Sequence, residues 1–244
     1  MIRKIFFFFV ALFVFILIVN AKFVYHTFFS SPKPEIKPVE EIQITLPEGF
    51  TNEQMKSRFV EKFSDFNVVE WDVQTKDLQG YLFPDTYRFS KNASVKEIVE
   101  KMRSTLTRRL VENQIDFESC EKYDSSMGYV SPTRCSLPDT LVVASLIEKE
   151  VQTPEDMKHV AGIFLNRLKI GMPLQTDTSE FTYKNKGLPP SPINNPGMNA
   201  ILAVLHPTQT NDLYFITLPD HMAVYAKTFE QHVANQKKYL TTKK

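Results

Sequence analysis

Two carboxylates, Glu148 and Glu150, close an otherwise apolar run that begins at Leu141. A carboxyl group at the end of an apolar face loses solvation, and desolvation raises its pKa. A carboxylic acid kept protonated beside a cleft is what a glycosidic bond requires of a general acid. Which of the two could serve depends on the backbone. A run apolar on every side is a buried helix or a buried strand, and periodicity alone does not separate them. Leu137, Pro138 and Asp139 suit a helix start, and about ten residues suit a helix better than a strand. On a helix, Glu148 shares a face with Leu141, Ala144 and Ser145, while Glu150 lies about 200° round from it. One of the two therefore ends the apolar face. The plainer alternative is a helix that surfaces and becomes polar.

Binding groups gather downstream. From Met172 to Asn199 the chain is rich in Pro, Gly, Asn and Thr and reads as a long ordered loop. Loops of this length in compact domains are usually functional or disordered. This one carries Gln175, Asp177, Thr182, Tyr183, Asn194 and Asn195, groups suited to an amide- and hydroxyl-rich ligand. Other chemistries find less support. His206, His221 and His232 are far apart without an i,i+4 pair, so no metal is expected. No nucleophile-elbow signature is present. With 29 basic and 28 acidic residues and no basic patch, nucleic acid is not an expected partner. Cys120 and Cys135 flank a polar stretch. Outside the cytoplasm they form a candidate disulfide worth about 3 kcal/mol, the alternative being two free thiols.

The elements that must position these groups mix helices and strands without regular βαβ alternation, which points to an α+β fold. Glu41 to Leu46 alternates into a turn at Pro47 and Gly49 and reads as a strand. Thr51 and Gln54 have capping-box spacing and open a helix carrying Met55, Phe59 and Phe63 inward. Strand, turn and helix together suit a small binding module. The aromatics between Gly80 and Phe89 serve either sugar stacking or a core. Ser94 and Glu97 form a second capping box, opening a helix with Val95, Ile98, Val99, Met102, Leu106 and Leu110 on one face. Thr153 and Pro154 start another helix, which carries Val160, Ile163, Phe164 and Leu168 and stops at Gly171. A short helix at 199–205, strands at 212–217 and 223–225, and a helix at 229–240 close the chain.

The N-terminus speaks to location. Arg3 and Lys4 precede Ile5 to Val19, a run without a polar side chain. Fifteen residues fall slightly short of the about twenty of a bilayer span. Ala21, Phe23, Val24 and Tyr25 can extend the run into the interface, with Lys22 snorkelling. The positive-inside rule puts the N-terminus in the cytoplasm and the rest outside. The competing reading is a cleaved signal peptide, because Val19, Asn20 and Ala21 resemble a cleavage site. Ser30 to Pro38 is a proline-stiffened tether.

Six segments, in order, resemble the endolytic murein transglycosylase (YceG-like) family: Gln79 to Tyr87, Ala144 to Glu150, Val160 to Leu168, Gly171 to Asp177, Gly187 to Gly197, and Leu213 to Phe215. The resemblance implies a single-pass inner-membrane protein with a periplasmic catalytic domain. Its parts would be a cytoplasmic tip and transmembrane anchor at 1–25, a tether at 26–40, a LysM-like module at 41–79 and a transglycosylase domain at 80–244. It implies a lyase that cuts the MurNAc-β-1,4-GlcNAc bond of nascent peptidoglycan and leaves 1,6-anhydro ends. No cofactor is implied. Peptidoglycan synthases or division proteins are the implied partners. By position the resemblance puts the catalytic acid on Glu148; Gln175, Tyr183 and Asn195 are read as sugar contacts, and Glu150 either orients the surroundings of Glu148 or is a solvated helix end, the second being favoured. The segment from Asp177 to Gly187 is shorter than the family pattern. That favours one alternative, a membrane-tethered glycan-binding or division scaffold without activity. A hydrolase using Asp177 as base is another.

Overall fold

A computed structural model describes residues 2–29, 40–117, 136–219 and 222–240. Cys120, Cys135, His221 and most of the proline-rich tether lie outside them. The chain divides into two compact units, Met1–Val39 and Glu40–Lys244.

The first unit is helix α1 (Ile2–Phe29), 28 residues long. That gives about 42 Å of backbone at ~1.5 Å per residue. Its described side chains, Phe7 and Leu12 to Tyr25, all face solvent. Among the described residues no helix is long and apolar enough to cross a membrane.

The second unit is mixed α+β, with two hydrophobic cores. Strand β1 (Glu41–Thr45) leads into helices α2 (Asn52–Lys62) and α3 (Val68–Thr75). Strand β2 (Thr86–Ser90) then pairs antiparallel with β1, Glu41 opposite Ser90 and Thr45 opposite Thr86. Both capping boxes form, at Thr51 with Gln54 and at Ser94 with Glu97. The second opens α4 (Val95–Glu112), whose first half lies in the first core and whose second half lies in the second. In the first core Phe59 lies flat on Phe66, ring centroids 5.4 Å apart, and against Trp71 at 5.2 Å. The aromatics after Gly80 belong to packing: Leu82, Phe83, Tyr87 and Phe89 are all buried. A small module ending at residue 79 would leave β1 without its partner strand. The first core instead runs through Met102. Helix α3 was not legible in the sequence, where its short, partly polar stretch shows no clear periodicity.

The second core is built on α5 (Leu137–Glu150), α6 (Pro154–Lys169) and α8 (Met198–Leu205), with α8 packed on both of the others. Ser136 and Thr153 cap α5 and α6 through their side chains, and a proline follows each cap. Eight consecutive residues of α5, Thr140 to Ile147, are buried. Between α6 and α8 the long loop holds one short helical turn, α7 (Phe181–Lys184). The hairpin of β3 (Tyr214–Thr217) and β4 (Ala223–Ala226) carries α9 (Phe229–Tyr239), which buries none of its side chains.

Candidate active site

Helix α5 delivers its two glutamates to opposite sides. Glu148 turns toward the start of α8, where the Gly197 backbone N–H donates to its carboxylate at 3.0 Å. The place is tight. A Cβ on Gly197 would lie 2.0 Å from the Glu48 carboxylate, and one on Gly49 would lie 3.2 Å from the Glu148 side chain. A side chain at Gly197 would have to displace that of Glu48. Glu148 thus sits in a joint between α5, α8 and the turn after β1.

Glu150, the last residue of α5, turns into a cleft of about 420 Å³. Its backbone carbonyl accepts from the Thr217 hydroxyl at 3.0 Å, which seals the helix end against β3. The Thr178 hydroxyl lies 3.4 Å from its carboxylate. Asp177, Gln175 and Tyr183 line the same cleft, as do Arg167, Tyr214 and residues of α9. The Tyr183 hydroxyl donates to the Asp177 carboxylate.

Burial pushes both glutamates up to about 7 from an ordinary 4.5. For Glu150 burial is the largest cause and the negative charge of Asp177 adds to it. For Glu148 burial also leads; the Gly197 N–H opposes it and Glu48 adds to it. Equal values do not choose between them. Placement does, because Glu150 lines the cleft and Glu148 does not, although both are half-buried.

Arg167 holds the cleft together. It lies on the buried stripe of α6 that also carries Val160, Ile163 and Phe164, and only 5% of it is exposed. Its Nε donates to the Leu213 carbonyl at 2.6 Å and its Nη1 to the Leu174 carbonyl at 2.5 Å. Its guanidinium stands over the Tyr214 ring, 5.3 Å from the centroid. One side chain therefore ties the loop before Gln175 to the strand that carries Tyr214. Gln175 itself adopts φ +51°, a left-handed conformation uncommon in non-glycine residues. The loop beyond it folds on the buried Thr182, whose carbonyl accepts from Gln175 N at 3.0 Å and whose hydroxyl accepts from Thr176 N at 2.9 Å.

The structure separates the expected site residues. Gln175 and Tyr183 reach the cleft beside Glu150. Asn195 does not: it is fully buried, and its side chain is spent on the fold. Its carbonyl accepts from Gly80 N at 2.8 Å and Leu82 N at 3.0 Å, and its amide donates to Phe50 O at 3.0 Å and Asn52 at 2.9 Å. The Asn195 backbone also bonds both ways across to the turn, with Gly49 and Phe50. It is a clamp between the two cores, and no polar atom is left for a sugar. Asn194 is likewise buried, its amide on the Ser145 carbonyl at 2.7 Å. Glu148 also departs from expectation, facing the joint rather than the cleft. Sequence reading missed Arg167, Tyr214, Thr217, Phe229 and His232. A cation at the i, i+3, i+4, i+7 stripe of α6 was the available signal for Arg167.

A protonable carboxyl group in a polar, solvent-open cleft, next to a second carboxylate, defines a protein equipped for acid–base chemistry on a polar ligand. A sequence model of the YceG-like family matches residues 25–180 and 181–238, so the chain belongs to that family. It is 34% identical over 189 residues to the endolytic murein transglycosylase of Bacillus subtilis, covering 68% of this chain and 49% of that protein. It is 27% identical over 194 residues to the endolytic murein transglycosylase of Streptococcus pneumoniae, covering 68% and 33%. The chain thus spans half or less of the length of these curated relatives. The crystal structure of a YceG-like protein from Listeria monocytogenes matches with a TM-score of 0.66 and 26% identity, over 82% of this chain and 76% of that one.

Proposed function

We propose that this chain is an endolytic lytic transglycosylase of peptidoglycan, with Glu150 as its acid and base. The observation that carries the reading is the placement of Glu150, a carboxyl group pushed up to about 7 and open to the cleft. Relatives named endolytic murein transglycosylase supply the substrate class. Protonated Glu150 gives its proton to the glycosidic oxygen as the bond from the muramyl C1 breaks. The muramyl 6-hydroxyl then attacks C1 and returns its proton to Glu150, so the anhydro ring forms without water. A single carboxyl group suffices for both transfers, because no second base has to activate water. Tyr183 and Gln175 offer polar groups at the rim, and Tyr183 keeps its proton, pushed up to about 12 by its bond to Asp177.

Location belongs to the same reading. A membrane anchor within residues 1–25 is part of this reading, supported by the apolar run from Ile5 to Val19 and by Arg3 and Lys4 before it. The module around β1 and β2 is the LysM-like part, and a glycan synthase or division protein is the expected partner.

The test is digestion of nascent peptidoglycan by the 244-residue chain in detergent, beside Glu150→Gln and Glu148→Gln, with products read by mass spectrometry. Anhydro-muramyl ends from the parent and from Glu148→Gln, and none from Glu150→Gln, are expected. Reducing ends would instead make the protein a hydrolase. One observation favours that second reading: the charge of Asp177 is felt at Glu150, so two carboxylates share the cleft.

A further inference from the structure

The cleft has a feature that acid–base chemistry does not use. Tyr214 on β3 and Phe229 and His232 on α9 all line it, and their rings form one cluster. The Tyr214 ring is 5.4 Å from His232 and 5.9 Å from Phe229, and Phe229 is 6.2 Å from His232. The rings are mutually tilted by 56° or less, so they do not close into a single stack. Phe229 is 58% exposed, and α9 buries no side chain. The cluster is therefore not core. Its rings stand at a concave surface that contains Glu150, a position suited to a ligand rather than to packing. Burial, with the charge of Arg167 second, holds His232 below its ordinary pKa, so it presents a neutral ring.

The shape and chemistry define the ligand. A pyranose ring has an apolar face of C–H groups and a rim of equatorial hydroxyl and acetamide groups. Aromatic side chains with polar neighbours match that division. The polar neighbours are Gln175, Tyr183 and Asp177.

Resting on the transglycosylase reading above, we infer that Tyr214, Phe229 and His232 form a stacking wall for an N-acetylhexosamine ring next to the bond being cut. The wall holds the glycan by its sugar faces and needs no stem peptide.

The experiment measures binding of N-acetylglucosamine tetramer, a glycan without peptide, to the chain carrying Glu150→Gln. The same background then carries Phe229→Leu, Phe229→Trp or His232→Ala. Phe229 is exposed, so its replacement leaves the fold intact, which circular dichroism checks. Phe229→Leu and His232→Ala should each weaken binding about three- to tenfold, while Phe229→Trp should bind at least as tightly as the parent. In the active chain, Phe229→Leu should raise KM by the same factor and leave kcat nearly unchanged. Equal weakening by leucine and tryptophan, or none by leucine, overturns the wall. If the parent still releases anhydro ends in that case, the transglycosylase reading stands without it. A parent that neither cuts peptidoglycan nor binds the tetramer overturns both.

Discussion

The two ends of one short sequence, Glu148 and Glu150, are pushed to the same pKa of about 7 and yet have different prospects. Glu148 is held at a joint by a backbone N–H, with the negative charge of Glu48 nearby. Glu150 opens on a cleft with Asp177, Gln175 and Tyr183. A raised pKa reports burial, and burial serves packing as readily as catalysis. What distinguishes an acid catalyst is room for a substrate at the same carboxyl group.

Substitution at the two positions is the sharpest way to break the comparison. Glu150→Gln should reduce cleavage of peptidoglycan about 10²- to 10⁴-fold, the range typical of a lost general acid. Glu148→Gln should keep activity within a few-fold of the parent, measured as the rate of anhydro-end release. Equal losses from both would place Glu148 in the chemistry after all.

Next in size is the clamp that joins the cores beside Glu148. Asn195→Ala strips the acceptor from the Gly80 and Leu82 amides in buried surroundings, while the Phe50 carbonyl keeps the Asn195 backbone N–H. Each buried unpaired group costs about 1–3 kcal/mol, so a loss of about 2–5 kcal/mol is expected in urea unfolding. A loss under about 1 kcal/mol would show that Asn195 is not a clamp and return it to the list of sugar contacts.

The pH dependence of stability separates the joint from the cleft more gently. Both glutamates have folded pKa values raised from 4.5 to about 7, so the folded chain holds more protons than the unfolded chain between those values. Stability from these groups is therefore fully present below about pH 4 and falls as pH rises through 7, by about 1–3 kcal/mol per group. Glu148→Gln removes one share of that slope, since glutamine still accepts from Gly197. It should be more stable than the parent at pH 8, with little difference at pH 4. Parallel urea titrations at the two pH values check this, and an unchanged slope would mean that Glu148 is hydrated.

What was legible in the sequence follows the range of each interaction. Caps at Thr51, Ser94 and Thr153 rest on bonds three residues long, and they stand as expected. The apolar run from Leu141 correctly gave a buried helix and the opposed directions of its two glutamates. Which direction holds the cleft depends on where Gly197, Asp177 and Thr217 land, tens of residues away, and no local pattern carries that. Asn195 failed for the same reason, because an asparagine in a polar loop reads as a ligand contact until the amides of Gly80 and Leu82 are found beside it. Phe229 and His232 were invisible because α9 lacks a buried stripe, and the cluster they form with Tyr214 exists only across the hairpin.

The smallest effect tests whether Asp177 tunes Glu150 or works beside it. Glu150 must be protonated to donate, so activity should fall as pH rises through about 7, the value to which burial and Asp177 together push it. Asp177→Asn removes the neighbouring negative charge, which makes ionised Glu150 less unfavourable and lowers its pKa. The descending limb of kcat/KM should then move to lower pH by a fraction of a unit, because burial, the larger cause, remains. Tyr183 can still donate to the asparagine carbonyl, so the loop geometry persists. A limb shifted downward with anhydro products retained makes Asp177 a tuning neighbour. A collapse of activity at every pH, with reducing ends lost from the products, would make Asp177 the base of a hydrolase and put both carboxylates of the cleft in the chemistry.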